Sequence, residues 1–477
     1  MLFMCCFMGA SYETLTTKHA VPLQITFPTP DHPPMRQPRE RLDRKPRKRR
    51  RSAELEGKAR PEGSAKGHAQ THPIAVSLIM IHSLLPTLRT AALLLLFLHV
   101  AGVRALVEEG AFWTARDTML PADAARAKVR VAIWDSGVDT ALFNDGLARD
   151  GQERPLIRGY NEFKERQDTP MALLPDSIAR DTARLNRWMS ALDDLDSGVD
   201  SKQARDLDAW LDTIPKARYD SFIGSIERYG GYTHGTALAD IALSGLPDAE
   251  LIIARMEWWH GSPPVPCWTR ELADREAASI RDLLDFVVAG GARVVVMSWM
   301  LTERGYVRNL EECAPQMPEA ERLDLARYTV QKIRTELIAG MQEAPHVLFI
   351  GAAGNSGHEL AEHDQATRFT LPNFLLVGAV DKHGDPADFS NKGAEVIIRA
   401  RGERVPARLP GGTLSHPTGT SMAAPVVANA VAKMLAAEPG LSVEEIRTIL
   451  LDTATPLDDG GPPLLHTRLA VRGAGGR

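Results

Sequence analysis

Residues 293–297 read Arg293-Val294-Val295-Val296-Met297, an apolar, β-branched run that is typical of a strand buried on both faces in a parallel sheet. Four further short apolar runs lie along the chain, at 129–134, 250–255, 346–350 and 375–380. Stretches of helical character follow or separate them, at 271–289, 319–341, 421–437 and 442–452. This alternation predicts an α/β fold with a doubly wound, mostly parallel sheet and helices on both faces.

Polar side chains stand at the ends of three of these runs. Asp135 follows the first run, Ser298 follows the run at 293–297, and Asn355 follows a glycine-rich turn after the run at 346–350. In open α/β sheets, ligands bind beyond the carboxyl ends of the strands. We therefore expect these three residues to gather at one edge of the sheet.

Two further segments carry groups that suit acyl transfer. Ser421 is predicted to start a helix, which directs its hydroxyl and its backbone N–H toward one spot at the positive end of the helix dipole. His234, between Thr233 and Gly235, is predicted to open another helix. A serine at a helix start is by itself often only a cap, and a single histidine is often structural. Their value lies in the combination with Asp135, because a serine nucleophile needs a base and that base needs a carboxylate.

Four motifs of the chain resemble the signature segments of the subtilisin-like serine peptidases, the subtilase family. They are Asp-Ser-Gly at 135–137, His-Gly-Thr at 234–236, Gly-Ala-Ala-Gly-Asn at 351–355 and Gly-Thr-Ser-Met-Ala-Ala-Pro at 419–425. Their chain order, Asp then His then Ser, is that of subtilisin. The resemblance extends over about residues 129–456.

The resemblance implies a role for each motif. Ser421 would be the nucleophile, His234 the general base and then acid, and Asp135 the carboxylate that orients the imidazole. Asn355 would complete the oxyanion hole beside the backbone N–H of Ser421. The implied activity is that of a serine endopeptidase that cleaves polypeptides and needs no cofactor for catalysis. Structural calcium is common in the family, but the acidic residues show no recognisable calcium-loop spacing, so no metal ligand is assigned.

Ser298, Trp299, Met300 and Gly354 are the expected substrate-binding residues, since Ser298 and its neighbours resemble the strand along which the family binds substrate main chain. Family members commonly carry Leu-Gly after that serine, where this chain has Trp299-Met300. The bulkier pair predicts a narrowed primary pocket and a preference for small residues before the cleaved bond.

Composition divides the chain into successive segments. Segment 176–212, rich in Asp, Leu, Ala and Arg, reads as a helical insertion that either decorates the surface or covers the cleft or binds a partner. Asp240, where the family usually has a small residue, is expected to contact solvent or this insertion. The predicted segments are a disordered basic tail or an over-extended reading frame (1–79), a signal peptide (80–105), a lead-in (106–128), the peptidase domain (129–460) and a C-terminal tail (461–477).

The segment 80–105 decides the expected location. It places Arg89 before an apolar core and small residues, the pattern of a secretory signal peptide, with translation starting at or near Met80. The core is shorter than the roughly 20 residues of a membrane span, so a signal anchor is the weaker alternative. We expect export to the periplasm or beyond the cell. In such an oxidising compartment Cys267 and Cys313 would pair; two separate buried thiols are the alternative.

Three other functions fit the sequence less well. The first is a catalytically silent, subtilase-fold binding protein, although all four chemical positions are filled. The second is an α/β-hydrolase esterase, in which Asp and His should follow the serine, whereas only His466 follows Ser421. The third is nucleic-acid binding, which rests on the basic run 44–51 alone, conflicts with a net charge of −5 and fails if export removes that run.

Overall fold

The computed structural model describes residues 110–123, 126, 128–258, 265–359 and 366–476. The predictions for segments 1–79 and 80–105 fall outside these residues, as does part of the lead-in 106–128.

A seven-stranded sheet lies at the centre of the described residues, and every neighbouring pair of its strands is parallel. All five predicted strands belong to it, and two strands that the sequence did not reveal complete its edges. The order is β2-β3-β1-β4-β5-β6-β7. The strands are β1 (Val129–Asp135), β2 (Ile157–Tyr160), β3 (Ala249–Met256), β4 (Val294–Met297), β5 (Leu348–Ala352), β6 (Phe374–Val380) and β7 (Val396–Arg401), and a separate antiparallel pair is formed by β8 (Ala407–Arg408) and β9 (Leu414–Ser415).

Helices cover both faces of this sheet, which confirms the predicted fold class. The α-helices numbered in the described residues are α1 (Asp176–Ala179), α2 (Thr182–Asp196), α3 (Lys202–Leu211), α4 (Lys216–Leu243), α5 (Arg270–Ala289), α6 (Glu303–Cys313), α7 (Glu319–Glu343), α8 (Thr420–Ala437), α9 (Val443–Thr453) and α10 (Thr467–Gly475). One apolar core joins the sheet to α4, α8, α9 and α10, and the other joins it to α5, α6 and α7. In β1, Val131 and Ile133 belong to the first core, whereas Ala132 and Trp134 belong to the second. Burial on both sides is why the strands read as continuous apolar runs.

α8 is the helix that carries Ser421, and it lies inside the first core. Within the described part of the chain, it is the helix that is long and apolar enough to cross a membrane by composition, yet 89% of it is buried in the fold. Its apolar character therefore follows from its position against the sheet.

The segment 176–212 is helical, as predicted, and forms α1, α2 and α3. These helices share a third apolar core with the first half of α4, in which Leu185, Leu192 and Leu207 pack against Phe222 and Ile226. The insertion therefore has a hydrophobic interior of its own that ends on the helix of His234.

The prediction that His234 opens a helix was wrong. α4 begins at Lys216 and continues for 28 residues, so His234 lies well inside it. Gly230 and Gly231 are buried within the helix, although glycine in a helix interior costs about 1 kcal/mol relative to alanine. The packing of the first half of α4 on the insertion outweighs that cost.

The prediction of a tail from residue 461 was also wrong, because residues 467–475 form α10, which packs on α8. The first residues that the structure describes contact the same region. The Arg116 guanidinium donates to the Thr455 hydroxyl at 2.6 Å, and the fully buried Lys433 ammonium donates to Asp117 at 3.0 Å. Both ends of the described chain thus belong to the domain. Cys267 and Cys313 form a disulfide, which joins the segment before α5 to the end of α6.

Glu227 makes the stability of the fold depend on pH. It lies on α4, seven residues before His234, and its burial raises the pKa of the carboxyl from 4.5 to about 7. The folded state then keeps a proton that the unfolded chain releases, so stability is lost as the pH rises from about 4.5 through 7. We expect Glu227→Gln to raise the free energy of unfolding at pH 8 by up to about 3 kcal/mol and to leave it unchanged at pH 4.

Denaturant unfolding at the two pH values measures this difference. Glu311→Gln is the matched control, because Glu311 is exposed on α6, and it should change the stability at neither pH. A gain of equal size at pH 4 and pH 8 would show that packing, and not ionisation, sets the effect of Glu227.

Candidate active site

The contact between Asp135 and His234 is made by two elements that approach closely. Asp135 ends β1, and its Oδ1 atom lies 2.7 Å from Nδ1 of His234. Both side chains are buried. The helix can approach the turn after β1 because residue 235 is glycine: a Cβ atom there would lie 2.3 Å from the Gly137 carbonyl oxygen. A carboxylate only accepts, so Nδ1 carries the proton and Nε2 is the basic nitrogen.

Ser421 lies in the first turn of α8, and its side chain is buried. Gly419 precedes the helix with a φ of +152°, a conformation that favours glycine. The Ser298 hydroxyl donates to the backbone carbonyl of Ser421 at 3.0 Å. The Ser421 hydroxyl itself makes no hydrogen bond to any described residue, His234 included. In structures without substrate such catalytic contacts are often long, and they tighten in the complex.

Asn429 makes a side-chain contact that joins α8 to α4. The Asn429 amide donates to the carbonyl oxygens of Ala242 at 2.9 Å and Ser244 at 2.8 Å. Asn429 lies eight residues beyond Ser421, and Ala242 lies eight residues beyond His234. The contact therefore joins α4 and α8 at the same sequence distance beyond His234 and beyond Ser421.

Asn355 is held by the residue that precedes Ser421. Its Oδ1 atom accepts from the backbone N–H and from the hydroxyl of Thr420, each at 2.8 Å. The backbone N–H can only donate, so this assigns the oxygen and leaves the NH₂ group on the other side. That Nδ2 atom is buried and has no hydrogen-bond partner among the described residues. An unsatisfied buried donor costs about 1–3 kcal/mol, and its retention at this position suits a group that meets a negative charge during reaction.

Thr420 was missed as a site residue, although it stands in the serine motif. Its hydroxyl also accepts from the backbone N–H of Gly354 at 2.9 Å. One threonine thus joins the Asn355 turn to the start of α8. Only the folded contact reveals this role, because the sequence places the two segments about 65 residues apart.

The four expected substrate-binding residues divide into two groups. Ser298, Met300 and Gly354 lie together beside Ser421, and the end of the Met300 side chain fills the space over Gly354. A Cβ atom on Gly354 would lie 2.7 Å from Met300 Cε, and Gly354 has a φ of +101°. Trp299 instead points into the second core, where its ring packs edge-on against Trp134 at 5.3 Å. The expected narrowing therefore rests on Met300, and the expectation that Trp299 shares in it was wrong.

A pocket that the sequence did not reveal opens beside α4, one turn before His234. It lies between the turn after β1, the residues just before the insertion and the end of β3. Its lining includes Ser136, Leu173, Tyr232, Met256 and Trp258. Leu173 is 86% exposed, which marks an apolar rim at this opening.

Asp240 is partly exposed to solvent, as expected, with 16% of its side chain accessible, and its bonding partner is Arg408 and not the insertion. Its carboxylate accepts from the backbone N–H of Arg408 at 2.8 Å and from the guanidinium of the same residue at 2.6 Å. It therefore fastens α4 to β8. Among the described residues, no group of three or more His, Cys, Asp or Glu side chains is arranged to hold a metal ion.

The chain is similar in sequence to a known protein family and to several of its members. The family model for the subtilase family, Peptidase_S8, matches residues 126–468. Subtilisin DY of Bacillus licheniformis is 38% identical over 132 residues, which are 27% of this chain and 48% of that protein. The cell wall-associated protease of Bacillus subtilis (strain 168) is 32% identical over 125 residues, which are 25% of this chain and 14% of that protein. The chain thus spans less than half the length of these relatives.

Solved structures also resemble the chain at low sequence identity. A lanthipeptide protease aligns with a TM-score of 0.43 and 16% identity, over 72% of this chain and 87% of that one. The A-subunit of the AB5 toxin from E. coli aligns with a TM-score of 0.44 and 15% identity, over 73% of this chain and 92% of that one.

Proposed function

The chain belongs to the subtilase family, and from this premise we propose that it is an exported serine endopeptidase acting through an acyl-enzyme intermediate. The observation that carries the proposal is the buried contact of 2.7 Å between Asp135 and His234, and Ser421 supplies the nucleophile in the first turn of α8. That contact fixes the tautomer in which Nε2 accepts a proton. The location follows from the predicted signal peptide and agrees with a relative named for the cell wall.

The proposed reaction begins when the Ser421 hydroxyl attacks the carbonyl carbon of a peptide bond. His234 Nε2 takes the hydroxyl proton, and Asp135 stabilises the imidazolium that forms. The imidazolium then gives the proton to the leaving amine as the C–N bond breaks. A water molecule attacks the resulting ester, with His234 again as base, and releases the acid and the Ser421 hydroxyl. Every step uses groups of this chain and water.

The negative charge of the tetrahedral intermediate would fall between two donors. One is the backbone N–H of Ser421 in the first turn of α8, where amide groups lack intrahelical partners. The other is the Asn355 side-chain amide, whose Nδ2 atom is held in a buried position by the contacts of Oδ1 to Thr420. Donors fixed before the reaction stabilise charge without reorganisation.

The proposal is tested by a fluorophosphonate probe, which labels only an activated serine nucleophile. We expect one probe molecule per protein, located on Ser421 by mass spectrometry of the digest. Protein that is folded but stays unlabelled would favour the catalytically silent binding protein.

We further propose that Met300 restricts the primary pocket to small side chains. Met300→Gly should open the space over Gly354 and raise kcat/KM for phenylalanine before the cleaved bond, relative to alanine, by about 10- to 100-fold. Cleavage of a peptide library measures the ratio. Met300→Leu conserves the volume and should keep the original preference. A wild-type preference for large aromatic residues would contradict this role of Met300.

A further inference from the structure

Helix α2 of the insertion lies against the segment that leads to Ser421. The Ser190 hydroxyl accepts from the backbone N–H of His416 at 3.1 Å and lies 2.9 Å from the Ser415 hydroxyl. One turn further along α2, Asp194 accepts from the Thr418 hydroxyl at 2.9 Å. The insertion therefore touches the chain at three of the six positions before the serine.

Asp194 is the centre of this contact. Its carboxylate is fully buried, and it forms an ion pair with the Arg404 guanidinium in addition to the bond from Thr418. The backbone N–H of Arg404 in turn donates to the Thr418 hydroxyl at 3.0 Å, which closes a ring of three residues. A buried carboxylate requires such partners, and Thr418 and Arg404 both belong to the segments beside the serine, not to the insertion.

The three residues of the ring lie where segment 402–405 is hydrogen-bonded to segment 417–419, just before the serine. Gly419 N–H donates to the Gly402 carbonyl at 2.8 Å, and Val405 N–H donates to the Pro417 carbonyl at 2.9 Å. Arg404, between these contacts, has a φ of +48°, a strained conformation for a residue with a side chain that persists only where its surroundings impose it. Thr418 is two residues from Thr420, which holds Asn355, and three from Ser421.

From this arrangement we propose that Asp194 is a positioning residue for the nucleophile. It holds Thr418 and Arg404 and thereby fixes the turn that carries Ser421 and the partner of Asn355. The insertion 176–212 is then part of the apparatus that sets the geometry of the reaction, and not a decoration of the surface. This inference rests on the proposed peptidase function.

The test compares Asp194→Ala and Asp194→Asn with the matched control Asp206→Ala. Asp206 lies on α3 of the same insertion and pairs only locally, with Lys202 in the described residues, at an exposed site. For Asp194→Ala we expect kcat per titrated active site to fall about 10- to 100-fold with little change in KM, because small misplacements of reacting groups cost about that much. The asparagine variant keeps an acceptor for Thr418 and should lose less. The control should keep wild-type kinetics.

Three readouts separate this role from a merely structural one. The fluorophosphonate labelling rate of the folded protein should fall in parallel with kcat, whereas a structural defect lowers the melting temperature and the titrated fraction but not the rate per site.

If Asp194→Ala does not fold, Ser190→Ala removes the neighbouring contacts without leaving a buried charge, and it should still lower kcat. Folded variants that label and turn over at the wild-type rate would overturn the positioning role alone. Wild-type protein that does not label would overturn the peptidase function itself.

Discussion

Ser421→Ala is expected to lower kcat by about 10⁶, the loss known for the nucleophile of subtilisins, while the protein keeps its fold. The serine hydroxyl makes no hydrogen bond to a described residue, so its removal leaves no partner unsatisfied. The thermal midpoint should therefore stay close to that of the wild type. Peptide hydrolysis and probe labelling measure the loss.

The matched control for this variant is Ser279→Ala. Ser279 is another buried serine, and its hydroxyl donates to the Glu276 carbonyl within α5, away from the candidate site. This variant should keep its turnover. Hydrolysis by Ser421→Ala at a substantial fraction of the wild-type rate would mean that another group performs the attack.

Much of the site was predictable because its motifs stand at the ends of strands. Asp135, Ser298 and Asn355 were expected at one sheet edge, and their strands β1, β4 and β5 are indeed neighbours in the sheet. Apolar runs identify such strands because both faces are buried. β2 was missed since it is a short edge strand with partly exposed residues, and β7 because it contains two arginines.

The contacts between remote segments were not predictable from the sequence. The length of α4 depends on packing between its first half and the insertion, which outweighs the local tendency of Gly230 and Gly231 to break a helix. The docking of α2 on residues 415–418 is made by the Ser190 hydroxyl and the buried carboxylate of Asp194. In the sequence, Asp194 is only one of many acidic residues in its segment. α10 was not predicted because its segment is rich in glycine, which disfavours a helix. Burial of Ala470 and Ala474 against the core stabilises it.

Asn355→Ala should lower kcat by about 10²–10³, the loss known for this oxyanion donor in subtilisins, and leave KM nearly unchanged. The donor meets its negative charge only in the transition state, so its removal affects turnover more than binding. The buried Nδ2 atom without a described partner is the structural basis for this expectation. Steady-state kinetics on one peptide substrate, with active-site titration, give the two constants.

Thr420→Val separates the donor from the bonds that hold it. The variant loses the hydroxyl that binds Asn355 Oδ1 and the Gly354 N–H, but it keeps the Thr420 backbone bond to Asn355 and the Nδ2 donor itself. If Asn355 acts through its amide, Thr420→Val should lose clearly less turnover than Asn355→Ala. Equal losses in the two variants would assign Asn355 a role in positioning only. Loss of all turnover in Asn355→Ala, equal to that of Ser421→Ala, would contradict the roles given to both residues, because one oxyanion donor contributes only part of the stabilisation.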